Sequence, residues 1–507
     1  MTVLPGAAGS LRAAGMEDTI HAAFDRQVAR SPHATAVVAA TSGVRLSYLE
    51  LQAAAVALGH RLQRAVLRRG AVLRRGTEPP GPVAAVLIRS SIERMVVYYG
   101  CLRAGLAFCP LEAGWPSAVC KNALEMVRPV VLLVEHIDDA SVAAAYEHCT
   151  QSGVPVVSIH PAEAEEEERA NGDAVAESQM VNSTAHVIFT SGSSGQPKAV
   201  WCDHRGSLLS HYARIAAFPS RREDVFGCGV FGVWDAVAGH LHGSVAVMLP
   251  EASLRDAEQL AALLAVNDVT RMLVTPTLLD TLLCSAAARA ALGLLHSLTL
   301  CGEQPSVSLV ARAVALLPRS TALINLYSSC ECHDVAVGDL RAQVDAFALT
   351  PLPHVRIYIT DEAGRAVAQG GAGSLMVGGD ALAGGYLTAA PTDQGGEDGG
   401  EEDGQGDDAS GHAGKDHRFV RLSDCVHADE SRELVPEDDK AAVVCRTGDR
   451  AVVLSSCSQG GCKATYIHTY THTHTHTHTH THTHTHTHTH NKNRSWWQGC
   501  AICSRGT

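Results

Sequence analysis

The chain has 507 residues, 46% of them apolar, and a formal net charge of −13. That length can bury more than one hydrophobic core, and no apolar run approaches the ~20 residues of a membrane span. The charge says little about partners: Glu163 to Glu177 and Thr392 to Asp408 hold about that much between them, and no basic patch with interleaved aromatics favours nucleic acid.

In chain order, Thr19 to Pro32 (TIHAAFDRQVARSP) is amphipathic at helical spacing, Ala34 to Ala40 is strand-like, and Leu46 to Gln63 is helical again. A tandem copy of AVLRRG follows, at Ala65–Gly70 and Ala71–Gly76, and reads as a surface loop that absorbs extra length cheaply. Pro82 to Ile88 is a buried strand, Ser91 to Gly105 a helix that stops at its glycine, Leu106 to Pro116 a strand end and turn, and Pro129 to Glu135 another strand. Alternating apolar strands and helices predict a parallel sheet covered on both faces. The acidic run within 161–180 reads as a solvated loop. After residue 200 a second alternating region has strand ends in SVAVMLP, VTRMLVTP, SLTLCGE and ALINLYS, with Ala/Leu helices between.

Between the two regions lies VIFTSGSSGQPKAVWCDH, Val187 to His204. A buried strand, Val187 to Phe189, gives way to Thr190, Ser191, Gly192, Ser193, Ser194 and Gly195, then to Pro197 and Lys198. The glycines let the backbone turn, successive N–H groups and hydroxyls form an anion cradle, and Lys198 adds a point charge for a polyphosphate. A Ser/Gly linker is the bland alternative, but linkers rarely run from a buried strand into Pro-Lys and back into an apolar segment. The spacing is not that of a Walker loop, which needs Gly-Lys-Ser/Thr.

The order T-S-G-S-S-G-x-P-K resembles the phosphate loop of the adenylate-forming superfamily, which holds acyl-CoA synthetases, luciferases and the adenylation domains of nonribosomal peptide synthetases. Further landmarks follow in order. SYLELQAAAVALGHRL and YYGCLRAGLAFCPLEAGWP resemble its early motifs. CGEQ (Cys301–Gln304) stands for Gly-Gly-Glu, and NLYSSCE (Asn325–Glu331) for Asn-x-Tyr-Gly-x-Thr-Glu. GSLMVGGDALAGGYL (Gly373–Leu387) and CRTGDR (Cys445–Arg450) resemble two later ones. The resemblance runs from about Met16 to Asp449 and is nearest to amino-acid adenylation domains and β-alanine-activating relatives of acyl-CoA synthetases.

It implies an α/β large domain at 16–454, with two parallel-sheet subdomains and a smaller β subdomain near Gly373–Leu387. It also implies ATP-dependent, AMP-forming activation of a carboxylic or amino acid, with CoA or a carrier protein's phosphopantetheine as thiol acceptor; no carrier motif is visible. Two anions must meet, so fixed donors and Mg²⁺ must neutralise charge. By resemblance Glu331 ligates Mg²⁺ and, with Lys198, serves catalysis. Tyr327 stacks on adenine, Gly302, Glu303 and Asn325 lie near its edge, and Asp449 accepts both ribose hydroxyls. Cys330 replaces a threonine near the α-phosphate and exchanges a strong hydroxyl donor for a weak thiol, and Ser328 replaces a glycine.

The substrate pocket departs further. Amino-acid-activating members carry an Asp four residues before a Trp, and it pairs with the α-ammonium; here Val230 stands four residues before Trp234. The resemblance therefore implies an acid that lacks an α-amine or places it elsewhere, with Asp235 structural. Cys332, His333 and Asp334 follow Glu331, but adjacent residues point different ways and no second cluster is evident, so they do not read as a zinc site.

After Asp449 nothing resembles the family's C-terminal small domain with its catalytic lysine, so that domain is expected to be missing and turnover to be impaired. The alternative is a non-catalytic nucleotide-binding remnant or gene-model product. Residues 455–507 form a tail without family counterpart, in which Thr and His alternate to His490 as a translated CA repeat would; a metal-binding His tract is the rival reading. The tail from Thr465 on, and a Gly/Asp/Glu insertion at 391–417, are expected to be disordered. Sixteen cysteines without a signal peptide suggest a reducing, cytoplasmic setting. The acid-free first sixteen residues, with Arg12, leave an organelle transit peptide open.

Overall fold

The computed structural model describes residues 19–67, 80–112, 114–135, 140–159, 183–191, 197–342, 349–361, 367, 372–387, 419–421, 443–455 and 465–470. The acidic run and the insertion, expected as loop and disorder, lie outside the described residues, as does most of the AVLRRG duplication.

Helix α1 (Ile20–Arg30), strands β1 (Thr35–Ala39) and β2 (Arg45–Ser47) and helix α2 (Tyr48–Leu67) open the chain. Thr19 caps α1, its hydroxyl accepting from Ala22 N. Next come β3 (Val83–Leu87), α3 (Ile92–Arg103), β4 (Ala107–Pro110), α4 (Ser117–Val127), β5 (Val131–Val134), α5 (Ala140–Gln151) and β6 (Val156–Ser158). The phosphate segment forms a hairpin of β7 (Thr184–Ser191) and β8 (Pro197–Asp203), which runs into α6 (His204–Ala217).

The second alternating region gives β9 (Val225–Cys228), α7 (Gly232–His242), β10 (Val245–Met248), α8 (Ala257–Val266), β11 (Arg271–Val274), α9 (Pro276–Leu282), α10 (Ala286–Leu292), β12 (Ser297–Cys301) and α11 (Val307–Leu316). It closes on the antiparallel strands β13 (Ala322–Ser329), β14 (His333–Asp339) and β15 (Thr350–Pro351). The remaining strands are β16 (Val355–Thr360), β17 (Ala372–Gly379), β18 (Gly385–Leu387), β19 (Phe419–Arg421), β20 (Val443–Ser455) and β21 (Thr465–Tyr470).

These strands make three sheets: nine strands in the order β15-β14-β13-β12-β11-β9-β10-β1-β2, seven in the order β18-β8-β7-β4-β3-β5-β6, and a smaller one, β16-β17-β20-β19, with β21 on β20. The centres of the two large sheets are parallel, as the alternation predicts. Strand β3 shows why: Ala84 and Val86 enter one core, Val83, Ala85 and Leu87 another. A strand buried on both faces reads as a continuous apolar run, since successive side chains point opposite ways.

The smaller β subdomain expected near Gly373–Leu387 is the third sheet, which holds β17, while β18 pairs with β8 of the phosphate hairpin. One expectation needs correction: the tail is not without structure at its start, because Thr465–Tyr470 (TYIHTY) pairs antiparallel with Arg450–Ser455. Thr, Tyr and Ile are residue types favoured in strands.

Candidate functional site

The phosphate hairpin sets one wall of the site. Thr190 pairs with Lys198 and Ser191 with Pro197, so the hydroxyl-rich strand end and the lysine face each other across the ladder. The turn itself, Gly192, Ser193, Ser194 and Gly195, lies outside the described residues.

Glu331 forms the opposite wall, in the turn between β13 and β14. It is 4% exposed. Its backbone carbonyl accepts from Ala383 N at 2.8 Å, and its Oε1 accepts from the Tyr386 hydroxyl at 2.6 Å. The Tyr386 ring in turn has Lys198 Nζ 5.1 Å from its centroid, a cation–π approach. Tyr386 therefore joins the lysine of the hairpin to the carboxylate of the turn. Tyr386 falls within the Gly373–Leu387 motif, but its role depends on the register of β18 on β8, with Tyr386 opposite Val200, which only the fold shows. Gly384 permits that approach, since a Cβ there would overlap the Trp201 indole.

Other expected nucleotide contacts gather at the ends of β12 and β13. Gly302 has φ +91°, which lets the chain turn off β12 beside the Phe231 ring. Glu303 accepts a 2.6 Å hydrogen bond from Thr277 Oγ1. Asn325 is buried on β13, and half-buried Tyr327 packs against the core of the small sheet. The Ser328 hydroxyl lies 3.0 Å from Cys301 Sγ. Cys330 gives its carbonyl to Cys202 Sγ at 3.6 Å, and burial first, then the Glu331 charge, pushes its thiol far up. At that position the thiol stays neutral and adds no charge beside Glu331. Asp449 lies on β20 between Arg446, opposite Met376, and Arg450, opposite Ser374, in an irregular stretch of the ladder. Bulges of this kind re-aim residues and are frequent beside active sites.

On the acid side the structure separates the two expected pocket residues. Val230 is 3% exposed and belongs to the core beneath β10, β11 and β12. Trp234, on α7, packs against the core between the large sheets, with its ring 4.4 Å from that of His186 and 6.0 Å from that of Tyr98. Arg214 bridges Asp235 and Asp334 at 3.3 Å each. Burial holds the Asp235 carboxyl up at about 6 against the pull of Arg214. The run Cys332-His333-Asp334 splits as expected: Cys332 enters the small-sheet core, Asp334 meets Arg214, and His333 turns toward Ala381 and Ser207.

The donor set suits Mg²⁺ and a nucleotide. A buried carboxylate offers hard oxygen, and an ammonium across from it suits phosphate. Among the described residues no helix is long and apolar enough to cross a membrane.

The sequence profile of the AMP-binding enzyme family matches residues 24–387. Among curated proteins, glycine betaine reductase ATRR of Emericella nidulans is 30% identical over 384 residues, which are 74% of this chain and 28% of that one. Surfactin synthase subunit 2 of Bacillus subtilis is 28% identical over 381 residues, 73% of this chain and 10% of that protein. The chain thus spans under a third of either relative. Among solved structures, the Klebsiella oxytoca NpsA N-terminal subdomain in complex with 3-hydroxyanthranilyl-AMSN superposes with a TM-score of 0.65 at 17% identity, over 87% of this chain and 97% of that one. The nonribosomal peptide synthetase FmoA3 gives a TM-score of 0.66 at 22% identity, over 90% of this chain and 42% of that one.

Proposed function

The chain belongs to the AMP-binding enzyme family, and from that membership we propose that it activates a small carboxylic or amino acid as an acyl-adenylate, consuming ATP, for transfer to a thiol of CoA or a carrier protein's phosphopantetheine. The observation that carries the reading is the Lys198–Tyr386–Glu331 connection, which brings a phosphate-seeking cation and a buried carboxylate to one place from segments 133 residues apart.

In the reaction a carboxylate oxygen attacks the α-phosphorus, the bond from that phosphorus to the bridging oxygen breaks, and pyrophosphate leaves with the electron pair. Lys198 and the hairpin backbone would hold the β- and γ-phosphates and stabilise the leaving charge. Mg²⁺, when bound, supplies Lewis-acid neutralisation of the phosphate oxygens, and Glu331 is the residue that would hold it. Tyr386 donates to one Glu331 oxygen and so helps to orient the carboxylate. Tyr327, Gly302, Glu303 and Asn325 would receive adenine, and Asp449 the ribose.

The acid is one whose recognition does not rest on a carboxylate at position 230. Val230 in the core supports this. So does the relative named for glycine betaine, an acid whose nitrogen bears methyl groups and no proton. ATP–pyrophosphate exchange over a panel of α-amino acids, β-alanine, betaines and aryl acids tests the proposal. Exchange with at least one acid, lost in Glu331→Gln, is expected; no exchange with any, together with no MgATP binding, would overturn it.

A further inference from the structure

His186, Cys202 and His333 lie outside the nucleotide contacts, and each offers one ligand atom within 4.8 Å of the other two. They come from three segments. His186 on β7 is the direct cross-strand partner of Cys202 on β8, so both side chains leave the hairpin on one face. His333 opens β14 with φ +55°, a left-handed conformation uncommon for a residue with a Cβ. This corrects the expectation that no second cluster accompanies His333: its partners are sixteen residues apart, brought together by a hairpin register that the sequence does not display.

The hydrogen bonds leave the nitrogens in a ligating state. His333 Nδ1 lies 2.7 Å from the Ala381 carbonyl, which can only accept, so Nδ1 carries the proton and neutral His333 presents the Nε2 lone pair. The neighbour of Nε2 is Ser207 Oγ at 3.2 Å, but that hydroxyl also lies 2.8 Å from the Asp203 carbonyl, and its single proton cannot serve both. An imidazole that donates one nitrogen to a backbone carbonyl and offers the other is the usual arrangement at a metal. His186 is 2% exposed, and its Nδ1 has no hydrogen-bond partner at all. Cys202 is fully buried, and its thiol makes one weak hydrogen bond, to the Cys330 carbonyl.

We propose that His186, Cys202 and His333 bind a zinc-class divalent ion that clamps the phosphate hairpin to the turn carrying Glu331. Two imidazoles and a thiolate suit Zn²⁺ and not Mg²⁺, whose ligands are oxygens. Zn–N and Zn–S bonds of about 2.0–2.3 Å need ligand atoms roughly 3.5 Å apart, so the cluster closes by a modest side-chain shift. Three protein ligands leave a fourth position for water or a substrate atom. The ion would be distinct from any Mg²⁺ on Glu331, and the proposal holds whether or not the adenylation reading does.

The full chain, stripped with chelator, is titrated with Co²⁺ and then with Zn²⁺. The expected result is a thiolate-to-cobalt charge-transfer band that Zn²⁺ erases. In Cys202→Ser the band and one equivalent of bound metal are lost, and in His333→Asn Zn²⁺ affinity falls at least about tenfold. The Thr/His tract and the tail cysteines are the same in every variant, so the difference from wild type isolates the site. Circular dichroism confirms that each variant is folded; if Cys202→Ser is not, His333→Asn gives the same comparison from a turn. A wild-type chain without the band, or a folded variant that keeps both band and stoichiometry, overturns the proposal.

Discussion

Tyr386→Phe is the sharpest perturbation of the site, because it removes one oxygen and leaves the ring beneath Lys198. The lost contact is a 2.6 Å hydrogen bond from a phenol to a carboxylate that is 4% exposed. Hydrogen bonds to charged groups contribute about 1.5–3 kcal/mol. Little water reaches Glu331 to replace the donor, so the upper half of that range applies to the folded chain. In ligand binding the same bond holds one Glu331 oxygen still, so its loss should weaken Mg²⁺-dependent ATP affinity by about tenfold or more, each 1.4 kcal/mol being one decade. Calorimetric titration with ATP, run with Mg²⁺ and with EDTA, reads this directly: the variant should differ from wild type with Mg²⁺ and match it with EDTA. Tyr386→Leu should add a further ~0.5–1 kcal/mol by removing the face beneath Lys198, and that increment should survive EDTA. An unchanged Mg²⁺-dependent Kd in Tyr386→Phe would refute the idea that this hydroxyl positions the carboxylate.

Lys198→Ala should weaken ATP binding by about ten- to a hundredfold, the worth of a charged hydrogen bond, and AMP binding far less; comparing the two nucleotides in one titration checks the assignment to the outer phosphates. Gly384→Ala should lower the thermal midpoint and copy the binding defect of Tyr386→Phe, because a Cβ there must displace Trp201 or the strand carrying Tyr386; a midpoint equal to wild type would show that β18 has room to shift. Asp224, fully buried, has Arg221 N, Thr270 Oγ1, Arg271 Nε and His296 Nδ1 within 2.9 Å. Asp224→Asn should cost about 3 kcal/mol in urea unfolding, at the lower end for a broken buried pair because Arg271 keeps the Phe218 and Pro219 carbonyls. Burial alone would raise the Asp224 carboxyl, but its donors outweigh that and bring it down to about 2. Its stabilisation is therefore present above the unfolded value of about 3.9 and is lost as pH falls through about 2, so acid unfolding followed by fluorescence should show a smaller slope in Asp224→Asn.

How much of this was legible in the sequence follows from what each element needs. Strands β3, β5, β10, β11 and β12 were readable because burial on both faces writes itself as an unbroken apolar run. Helix α3 was readable because Ser91 caps it and Gly105, at φ +74°, ends it. Lys198, Glu331 and Tyr327 could be put forward by resemblance because the chemistry proposed for them is tied to local motifs. Tyr386, His186 and Cys202 were not, since each acquires its neighbour through strand register, and register depends on which strands meet. Val230 illustrates the opposite failure: its spacing from Trp234 is a sequence fact, yet the two side chains enter different cores.

The hairpin of β7 and β8 draws these strands together. Its loop end carries Lys198, its outer edge takes β18 and hence Tyr386, and its inner end presents His186 and Cys202 to His333. Glu331 and His333 are two residues apart on the turn it faces, one bound to the hairpin side through a phenol and the other placed for a shared ion. With the proposed ion in place, the turn would be tied to the hairpin at two points, through Tyr386 on β18 and through His186 and Cys202. Loosening either point should be felt at the other. On that reasoning Cys202→Ser should weaken Mg²⁺-dependent ATP binding only in zinc-loaded samples, whereas Tyr386→Phe should weaken it with or without zinc. Equal effects of both variants in metal-stripped protein would mean that the two attachments are a single one.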